Sequence, residues 1–325
     1  MNSRTTFIKK KATGNFGQAP AERPLSELIS YGIVNIDKPK GPTSHQVSDY
    51  VQKILGLDKA GHSGTLDPQV TGVQPVALGR ASRIVQFLLT APKEYIGVMH
   101  LHQDIPENKL RDILPQFIGK IQQLPPIKSA VKRELRTREI YEFEILEIKG
   151  QDVLFRVKCQ AGTYIRKLCH DLGQALGIGA HMAELRRTQA GPFTEKDQLV
   201  TLNELEDAIH FYQEENNPKL LAYCLQPIEN AIVHLPKCWI LDTAVISLSN
   251  GRDLGIPGIS KLDNFRKGEE VAVLTLKGEL VAIGEALMSA VEINTQEKGL
   301  ALKIKKVFLE SLTKPEETAE IKPKN

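Results

Sequence analysis

The sequence has few of the features that staple a fold or place it in a membrane. It holds only four cysteines, none in a Cys-x-x-Cys pair, so neither a structural zinc site nor a disulfide framework is expected. No apolar run of about 18 residues occurs, so no membrane-spanning helix is expected. Free thiols and the lack of a signal-peptide pattern predict a cytoplasmic location.

Charge is also nearly balanced. The formal net charge is +3, and the pI of about 8.5 lies below the value of about 9 that would by itself indicate a nucleic-acid domain. The glycine-rich segment 61–72 lacks the Gly-Lys-Ser/Thr ending of a phosphate-binding loop. It also has no second carboxylate close to Asp67, so the sequence does not indicate metal or paired-acid chemistry. An Asp-Pro pair in such a loop is often a turn device, which leaves two interpretations of Asp67.

What is present is typical of a globular protein with about two domains: 325 residues, 41% hydrophobic and 25% charged. We expect a flexible extension over residues 1–30, in which three lysines, residues 9–11, lie on a solvated arm or touch phosphates. A helix-and-strand domain over 31–233 and a β-rich domain over 234–310 follow. The charged tail 311–325 is expected to be disordered.

Hydrophobic periodicity predicts the elements of both domains. We expect a strand at 31–37, a helix N-capped by Ser44 and ending near Gly56, strands at 95–101, 141–145 and 153–159, helices at 84–88, 110–117 and 165–176, and a capping box at Thr201–Glu204. Further strands are expected at 244–248, 270–276, 279–283 and 300–308, with a hairpin turn at Lys277-Gly278. Mostly hairpin spacing favours an α+β fold with a mixed, largely antiparallel sheet.

Several polar residues stand out from this framework. Arg166 falls in the first turn of the predicted helix, where anions are normally favoured, although a solvated arginine is the simpler interpretation. Tyr95 alone reads as a core residue near the start of a strand. Residues 128–138 hold five basic side chains and one acidic, a density that suits phosphate contact or a solvated loop.

These segments occur together in the order seen in one family. The sequence resembles the TruB family of pseudouridine synthases and, within it, the archaeal dyskerin-like branch of H/ACA ribonucleoproteins. The resemblance covers about residues 31–310. It rests on Asp37-Lys38-Pro39-Lys40-Gly41-Pro42-Thr43-Ser44, Gly61-His62-Ser63-Gly64-Thr65-Leu66-Asp67-Pro68, Lys93-Glu94-Tyr95, Leu124-Pro125-Pro126 with Ser129-Ala130, Gly162-Thr163-Tyr164-Ile165-Arg166, and Gly179-Ala180-His181-Met182 with Leu185-Arg186-Arg187.

The resemblance implies a role for each matching residue. Asp67 is the expected nucleophile, and Arg166 is its ion-pair partner. Tyr95 packs against the base and is a candidate proton acceptor, while His62 helps to hold the flipped nucleotide. The residues expected to bind RNA are Lys38, which also belongs to the motif that shapes the site, Lys128, Lys132, Arg133, Arg136, Arg186 and Arg187.

The chemistry explains why such residues are needed. Uridine must be flipped out of its stack before the bond from N1 to C1′ is exchanged for one through C5. A carboxylate can attack the sugar or stabilise charge there, and a nearby guanidinium keeps it ionised despite partial burial. Because the reaction involves no redox change, phosphate transfer or hydrolysis, we expect no cofactor and no metal.

The last domain resembles a PUA domain, a small RNA-binding β-barrel, on the strength of Asn250-Gly251 and 255–259. The family resemblance therefore implies isomerisation of the T-loop uridine in transfer RNA and, guided by H/ACA RNA with small partner proteins, of uridines in ribosomal RNA. The alternative is a non-catalytic RNA-binding scaffold, against which the intact Asp67, Tyr95 and Arg166 argue. Two departures are Gln74, where an apolar residue is expected, and the segment before Tyr31, which carries no motif.

Overall fold

The computed structural model describes residues 4–125 and 132–309. Within these residues the strands are β1 (Thr6–Ile8), β2 (Gly32–Lys38), β3 (Ala60–His62), β4 (Thr71–Leu78), β5 (Lys93–Leu101), β6 (Gly119–Gln123), β7 (Arg136–Lys149), β8 (Asp152–Cys159), β9 (Ala180–Ala190), β10 (Phe193–Thr194), β11 (Leu199–Val200), β12 (Leu225–Pro227), β13 (Lys237–Ile240), β14 (Leu254–Gly255), β15 (Ile259–Asp263), β16 (Glu270–Leu274), β17 (Leu280–Ala286) and β18 (Leu300–Val307). The α-helices are α1 (Leu25–Tyr31), α2 (Ser44–Ile54), α3 (Val85–Leu89), α4 (Glu107–Ile113), α5 (Ile165–Ala175), α6 (Leu202–Glu214), α7 (Lys219–Cys224), α8 (Asp242–Ser249) and α9 (Ala290–Thr295).

Two compact units share the chain, and each has a core of its own. The central unit is Arg23–His234; the terminal unit joins the residues up to Glu22 with those from Leu235 onward. In the part of the chain that the structure describes, no helix has the length and apolar character needed to cross a membrane.

The central unit is built on an eleven-stranded sheet. Its main path runs β11-β2-β4-β9-β5-β8-β7-β6, with β3 beside β4, β10 beside β9 and β12 beside β2. The pairs β11·β2 and β4·β9 are parallel and the others antiparallel, which confirms the expected mixed, largely antiparallel sheet.

A short parallel pairing joins β4 and β9 in the middle of the strand order of this sheet. It pairs Gly72 with Arg187, and a Cβ at position 72 would lie 2.2 Å from the Arg187 carbonyl oxygen. Gly72 also has φ +103°, a backbone conformation that side chains with a Cβ rarely adopt. Glycine is therefore required where the glycine-rich segment 61–72 enters the sheet.

Helix ends follow the local signals closely. The N-cap of α2 is Thr43, one residue before the predicted Ser44; its hydroxyl accepts from the backbone N–H of Gln46 at 3.2 Å while the Gln46 side chain caps Thr43 in return. The predicted capping box at Thr201 is confirmed at the start of α6. Along α5 the buried stripe faces the sheet, leaving the second residue of the helix, Arg166, off it as predicted.

The terminal unit contains a seven-stranded sheet ordered β1-β15-β13-β16-β17-β18-β14. Strand β1 pairs with β15, placing Thr6 opposite Asp263 and Ile8 opposite Lys261. The extension expected over residues 1–30 therefore holds regular structure: this strand, and the helix α1 that begins at Leu25. Strand β1 forms because β15 offers an unpaired backbone edge that a polar segment can satisfy.

Three of the four strands expected at the C-terminal end are confirmed as β16, β17 and β18. The turn at Lys277-Gly278 is also confirmed, with Gly278 N–H donating to the Thr275 carbonyl at 3.0 Å. The run 244–248 is instead part of helix α8, with Val245 and Leu248 buried one helical turn apart. A short apolar run fits both periods, so the prediction of a strand there was wrong.

Candidate active site

The predicted nucleophile lies on the connection between β3 and β4. The carboxylate of Asp67 accepts a hydrogen bond from the guanidinium of Arg166, a residue 99 positions away at the start of α5. Both side chains are about half exposed, at 54%. The structure thus brings together the two residues whose pairing the resemblance implied and leaves both side chains partly exposed.

A buried lysine holds the backbone that follows Asp67. Lys38 is fully buried, and its Nζ donates to the carbonyls of Pro39 at 2.9 Å, Pro68 at 3.2 Å and Val70 at 2.9 Å. Burial lowers the pKa of this ammonium, with the charge of Arg187 acting in the same direction. All three hydrogen bonds go to backbone carbonyls, two of them just after Asp67, so Lys38 has no exposed donor to offer to RNA in this structure.

The other side of the same loop is held by Ser44 at the start of α2. Its Oγ accepts from the backbone N–H of Leu66 at 2.8 Å, immediately before Asp67. The carbonyl of Ser44 in turn accepts from the Nε2 of Gln74 at 3.0 Å. Gln74, expected to be apolar, is fully buried as an apolar residue would be, but its amide supports the catalytic loop. Sequence reasoning missed this link.

Arg187 forms the floor of the site. It is 1% exposed, and it donates to the carbonyls of Val73 at 2.8 Å and Gly64 at 3.2 Å. This burial does not favour the predicted contact of Arg187 with RNA. The available signal was strand alternation along β9: it turns Arg186 outward and Arg187 inward, where its charge holds the loop of Gly64.

Tyr95 lies opposite Arg187 across the β5·β9 ladder and is 9% exposed. Burial raises the pKa of its hydroxyl; the charge of Arg187 opposes this change, and the carboxylate of Asp67 adds to it. The phenol therefore keeps its proton at neutral pH. Tyr95 thus lies within electrostatic reach of both Arg187 and Asp67.

His62, at the end of β3, is held in a neutral form. Its Nδ1 is 3.1 Å from the hydroxyl of Ser48 and its Nε2 is 3.5 Å from that of Thr65, while the ring of His45 stands edge-on at 4.9 Å. Burial lowers the pKa of His62 to about 4, assisted by the positive charges of His45 and Arg187 and opposed by Asp49. The ring therefore acts at neutral pH by shape and hydrogen bonding.

The remaining basic candidates differ in how free their charges are. The guanidinium of Arg186 donates hydrogen bonds to both carboxylate oxygens of Asp37 at 2.9 Å and to Glu195 at 2.5 Å. Lys132 is 84% exposed and lies 3.3 Å from Glu134, and Arg133 is also exposed. Arg136, at the start of β7, is 30% exposed and lies 3.6 Å from Glu134. Lys128 lies outside the described residues.

The terminal unit has a basic cavity of about 430 Å³ between the N-terminal segment, β15 and the turn after β16. Four lysines line it: Lys10, Lys11, Lys261 and Lys277. Lys261 also lies 4.2 Å above the ring of Trp239. Across residues 4–125 and 132–309, no group of three or more His, Cys, Asp or Glu side chains is arranged to hold a metal ion.

Four family models together match almost the whole chain. They are the DKCLD (NUC011) domain over residues 1–48, the TruB family pseudouridylate synthase N-terminal domain over 52–108 and 102–165, the tRNA pseudouridylate synthase B C-terminal domain over 166–233, and the PUA domain over 236–308. The segment before Tyr31, which carries no motif recognisable by eye, thus has a family match of its own.

Whole-chain relatives agree with these matches. A probable tRNA pseudouridine synthase B of Pyrococcus horikoshii is 55% identical over 90% of this chain and 88% of its own, and one of Methanothermobacter thermautotrophicus is 54% identical over 95% and 96%. Among solved structures, that of a Cbf5-Nop10-Gar1 complex matches with a TM-score of 0.91 and 50% identity over 95% of both chains. That of an H/ACA RNP bound to a substrate RNA containing 2′-deoxyuridine matches with a TM-score of 0.89 and 48% identity over 95% and 96%. The chain belongs to the TruB family of pseudouridine synthases.

Proposed function

We propose that this protein isomerises uridine to pseudouridine in transfer RNA and, directed by an H/ACA guide RNA, in ribosomal RNA. The named relatives and the likeness to an H/ACA particle bound to substrate RNA support these substrates. The observation that carries the catalytic assignment is the pairing of Asp67 with Arg166 on a loop braced by Lys38 and Ser44.

In this proposal the carboxylate of Asp67 attacks C1′ of a flipped uridine, or stabilises positive charge there, while the bond to N1 breaks. Arg166 keeps the carboxylate ionised and aimed, since an opposite charge favours the ionised form of an acid. The freed base turns and C5 bonds to C1′, which releases the carboxylate of Asp67 where it had bonded there. The C5 proton leaves and N1 regains one, so the product is an isomer of the substrate.

Tyr95 and His62 serve the base rather than the sugar. The ring of Tyr95 supplies a packing surface, and such stacking is worth about 1–3 kcal/mol per base. Because its hydroxyl holds its proton firmly, we assign Tyr95 to packing ahead of proton acceptance. Neutral His62 occupies the space that an extruded base leaves and hydrogen-bonds without adding charge.

RNA is held outside this pocket by freer charges. We assign the exposed Lys132 and Arg133 to phosphate contact in the central unit, and the lysine-lined cavity of the terminal unit to the guide RNA. Small proteins of the kind named with the related structures, Nop10 and Gar1, are the proposed partners.

The test is pseudouridine formation in unmodified transfer RNA by the purified protein alone, with Asp67→Asn as its matched control. Asparagine preserves the shape and a hydrogen bond to Arg166 but removes the charge, so we expect product from the wild type and none from the variant. Product from both would remove Asp67 from the chemistry. If neither forms product, even with guide RNA and partner proteins added, the result supports the alternative of a non-catalytic RNA-binding scaffold.

We also propose a cytoplasmic location, which the four unpaired cysteines, Cys159, Cys169, Cys224 and Cys238, support. Burial raises the pKa of the Cys159 and Cys169 thiols to about 12, so they stay protonated and unreactive. Cell fractionation with an antibody to the protein checks this, and recovery in the membrane or exported fraction would contradict it.

A further inference from the structure

The turn that carries Arg166 is gripped by a side chain from another strand. Tyr164 is the N-cap of α5 and makes no side-chain cap hydrogen bond. Gln123, the last residue of β6, reaches both of its backbone groups: Nε2 donates to the Tyr164 carbonyl at 3.1 Å, and the Tyr164 N–H donates to Oε1 at 2.9 Å. Since Gln123 is 1% exposed, water scarcely competes for these bonds.

Neighbouring contacts hold the beginning of the same turn. The N–H of Gln160 donates to the Glu139 carbonyl at 2.8 Å, and Nε of Arg138 donates to the Gly162 carbonyl at 3.0 Å. Both partners lie on β7, the strand paired with β6. Gln123 holds the end of the turn, where the backbone passes into the helix.

The position of Arg166 depends on this turn as well as on the packing of α5 against the sheet. The residue follows Tyr164 by two positions, and its side chain is 54% exposed. A shift of the turn would therefore move the backbone from which the guanidinium reaches Asp67. Misplacing a catalytic group by about 1 Å is enough to cost about a hundredfold in rate.

We propose that Gln123 is a positioning residue for the isomerisation: its amide fixes the first turn of α5 so that Arg166 meets the carboxylate of Asp67. The inference rests on the proposed function, since it takes Asp67 as the nucleophile and Arg166 as its partner. The hydrogen bonds described for the Gln123 side chain go to the backbone of Tyr164 and not to Asp67.

The first experiment measures kcat and KM on unmodified transfer RNA for Gln123→Leu, which keeps the volume and removes the amide. We expect kcat to fall by about ten- to a hundredfold while KM stays within about threefold. The matched control is Gln122→Leu, one residue earlier on β6, whose side chain bonds only the surface hydroxyl of Thr137 at 2.9 Å among the contacts described. An unchanged kcat in Gln123→Leu, or an equal loss in the control, overturns the proposal.

A double-mutant cycle with Arg166→Lys separates positioning from general support of the fold. If Gln123 acts through Arg166, the double variant loses less than the product of the two single losses. If the loss in the double variant equals the product of the two single losses, the positioning role of Gln123 is overturned, while the proposed function stands. If Arg166→Lys by itself keeps the wild-type kcat, the proposed partner of Asp67 is wrong and this inference falls with it, so the two failures are distinguishable.

Gln123→Glu keeps the proposal testable if the leucine variant does not fold. A protonated carboxyl has the donor and acceptor of the amide, whereas an ionised one has lost the donor. We expect the rate of this variant relative to wild type to fall by about tenfold or more as pH rises and the carboxyl ionises. A ratio that stays constant from acid to neutral pH overturns the proposal.

Discussion

His62 should make the stability of the central unit depend on pH. Its pKa is about 4 in the folded protein, against an ordinary value of 6.5. At a pH between these two pKa values, His62 is protonated in the unfolded chain and neutral in the folded one. The contribution is therefore fully present above about pH 6.5 and is lost as pH falls toward 4.

The size of the effect follows from the same difference. Each tenfold change in proton affinity is worth about 1.4 kcal/mol, so the interval corresponds to about 3 kcal/mol. The ring is only partly buried, and its neighbours His45 and Asp49 act in opposite directions on its charge. We therefore expect about 2–3 kcal/mol between pH 7.5 and pH 4.

The assay is urea unfolding of the wild type and His62→Asn at pH 7.5, 5.5 and 4. Asparagine keeps a hydrogen-bonding group beside Ser48 but does not titrate. On acidification the free energy of unfolding of the wild type should fall by about 2–3 kcal/mol more than that of the variant, which is the effect of protonating about one imidazole ring. His45→Asn is the matched control, since its ring is exposed and should leave most of the acid loss in place. Equal losses in the wild type and His62→Asn would refute the reasoning, because the ring would then carry its proton in the folded state.

Three further predictions concern the frame of the site and the RNA surface. Lys38→Met should lower the free energy of unfolding by about 2–4 kcal/mol, because buried carbonyls lose a charged donor, and urea unfolding with no loss would contradict this. Gly72→Ala should cost about 3 kcal/mol or more, since the new methyl would lie 2.2 Å from the Arg187 carbonyl, and thermal unfolding at the wild-type temperature would show otherwise. Replacing Lys132 and Arg133 together by glutamine should lower the slope of log affinity against log salt by about 0.7 per charge lost, as measured by filter binding, and an unchanged slope would exclude both from phosphate contact.

The parts of the site that depend on residues close together in the sequence can be predicted from it. The apolar stripe of α5 places Arg166 in the first turn, and the glycine-rich segment 61–72 is recognisable as a loop. The meeting of Arg166 with Asp67 is not, because no local pattern reports a contact between residues 99 positions apart. The family resemblance supplied that contact.

The buried charges show why sequence reasoning expected Lys38 and Arg187 at an RNA-facing surface. Lysine and arginine are rarely buried unless paired, so a surface position was the natural expectation for Lys38 and Arg187. Both are buried here with hydrogen bonds to distant backbone carbonyls, such as that of Pro68 for Lys38 and that of Val73 for Arg187. Only the assembled fold shows which carbonyls need a donor.

The terminal unit has a consequence for the order in which the protein is made. Strand β1 is synthesised before its partner β15, which follows it by about 250 residues in the chain. Until then residues 6–8 have no ladder to join, and the whole central unit can fold in the meantime, since domains generally fold as units as they emerge. The sheet of the terminal unit can therefore be completed only after the central unit has been synthesised. A chain that stops short of β15 leaves β1 without its native partner.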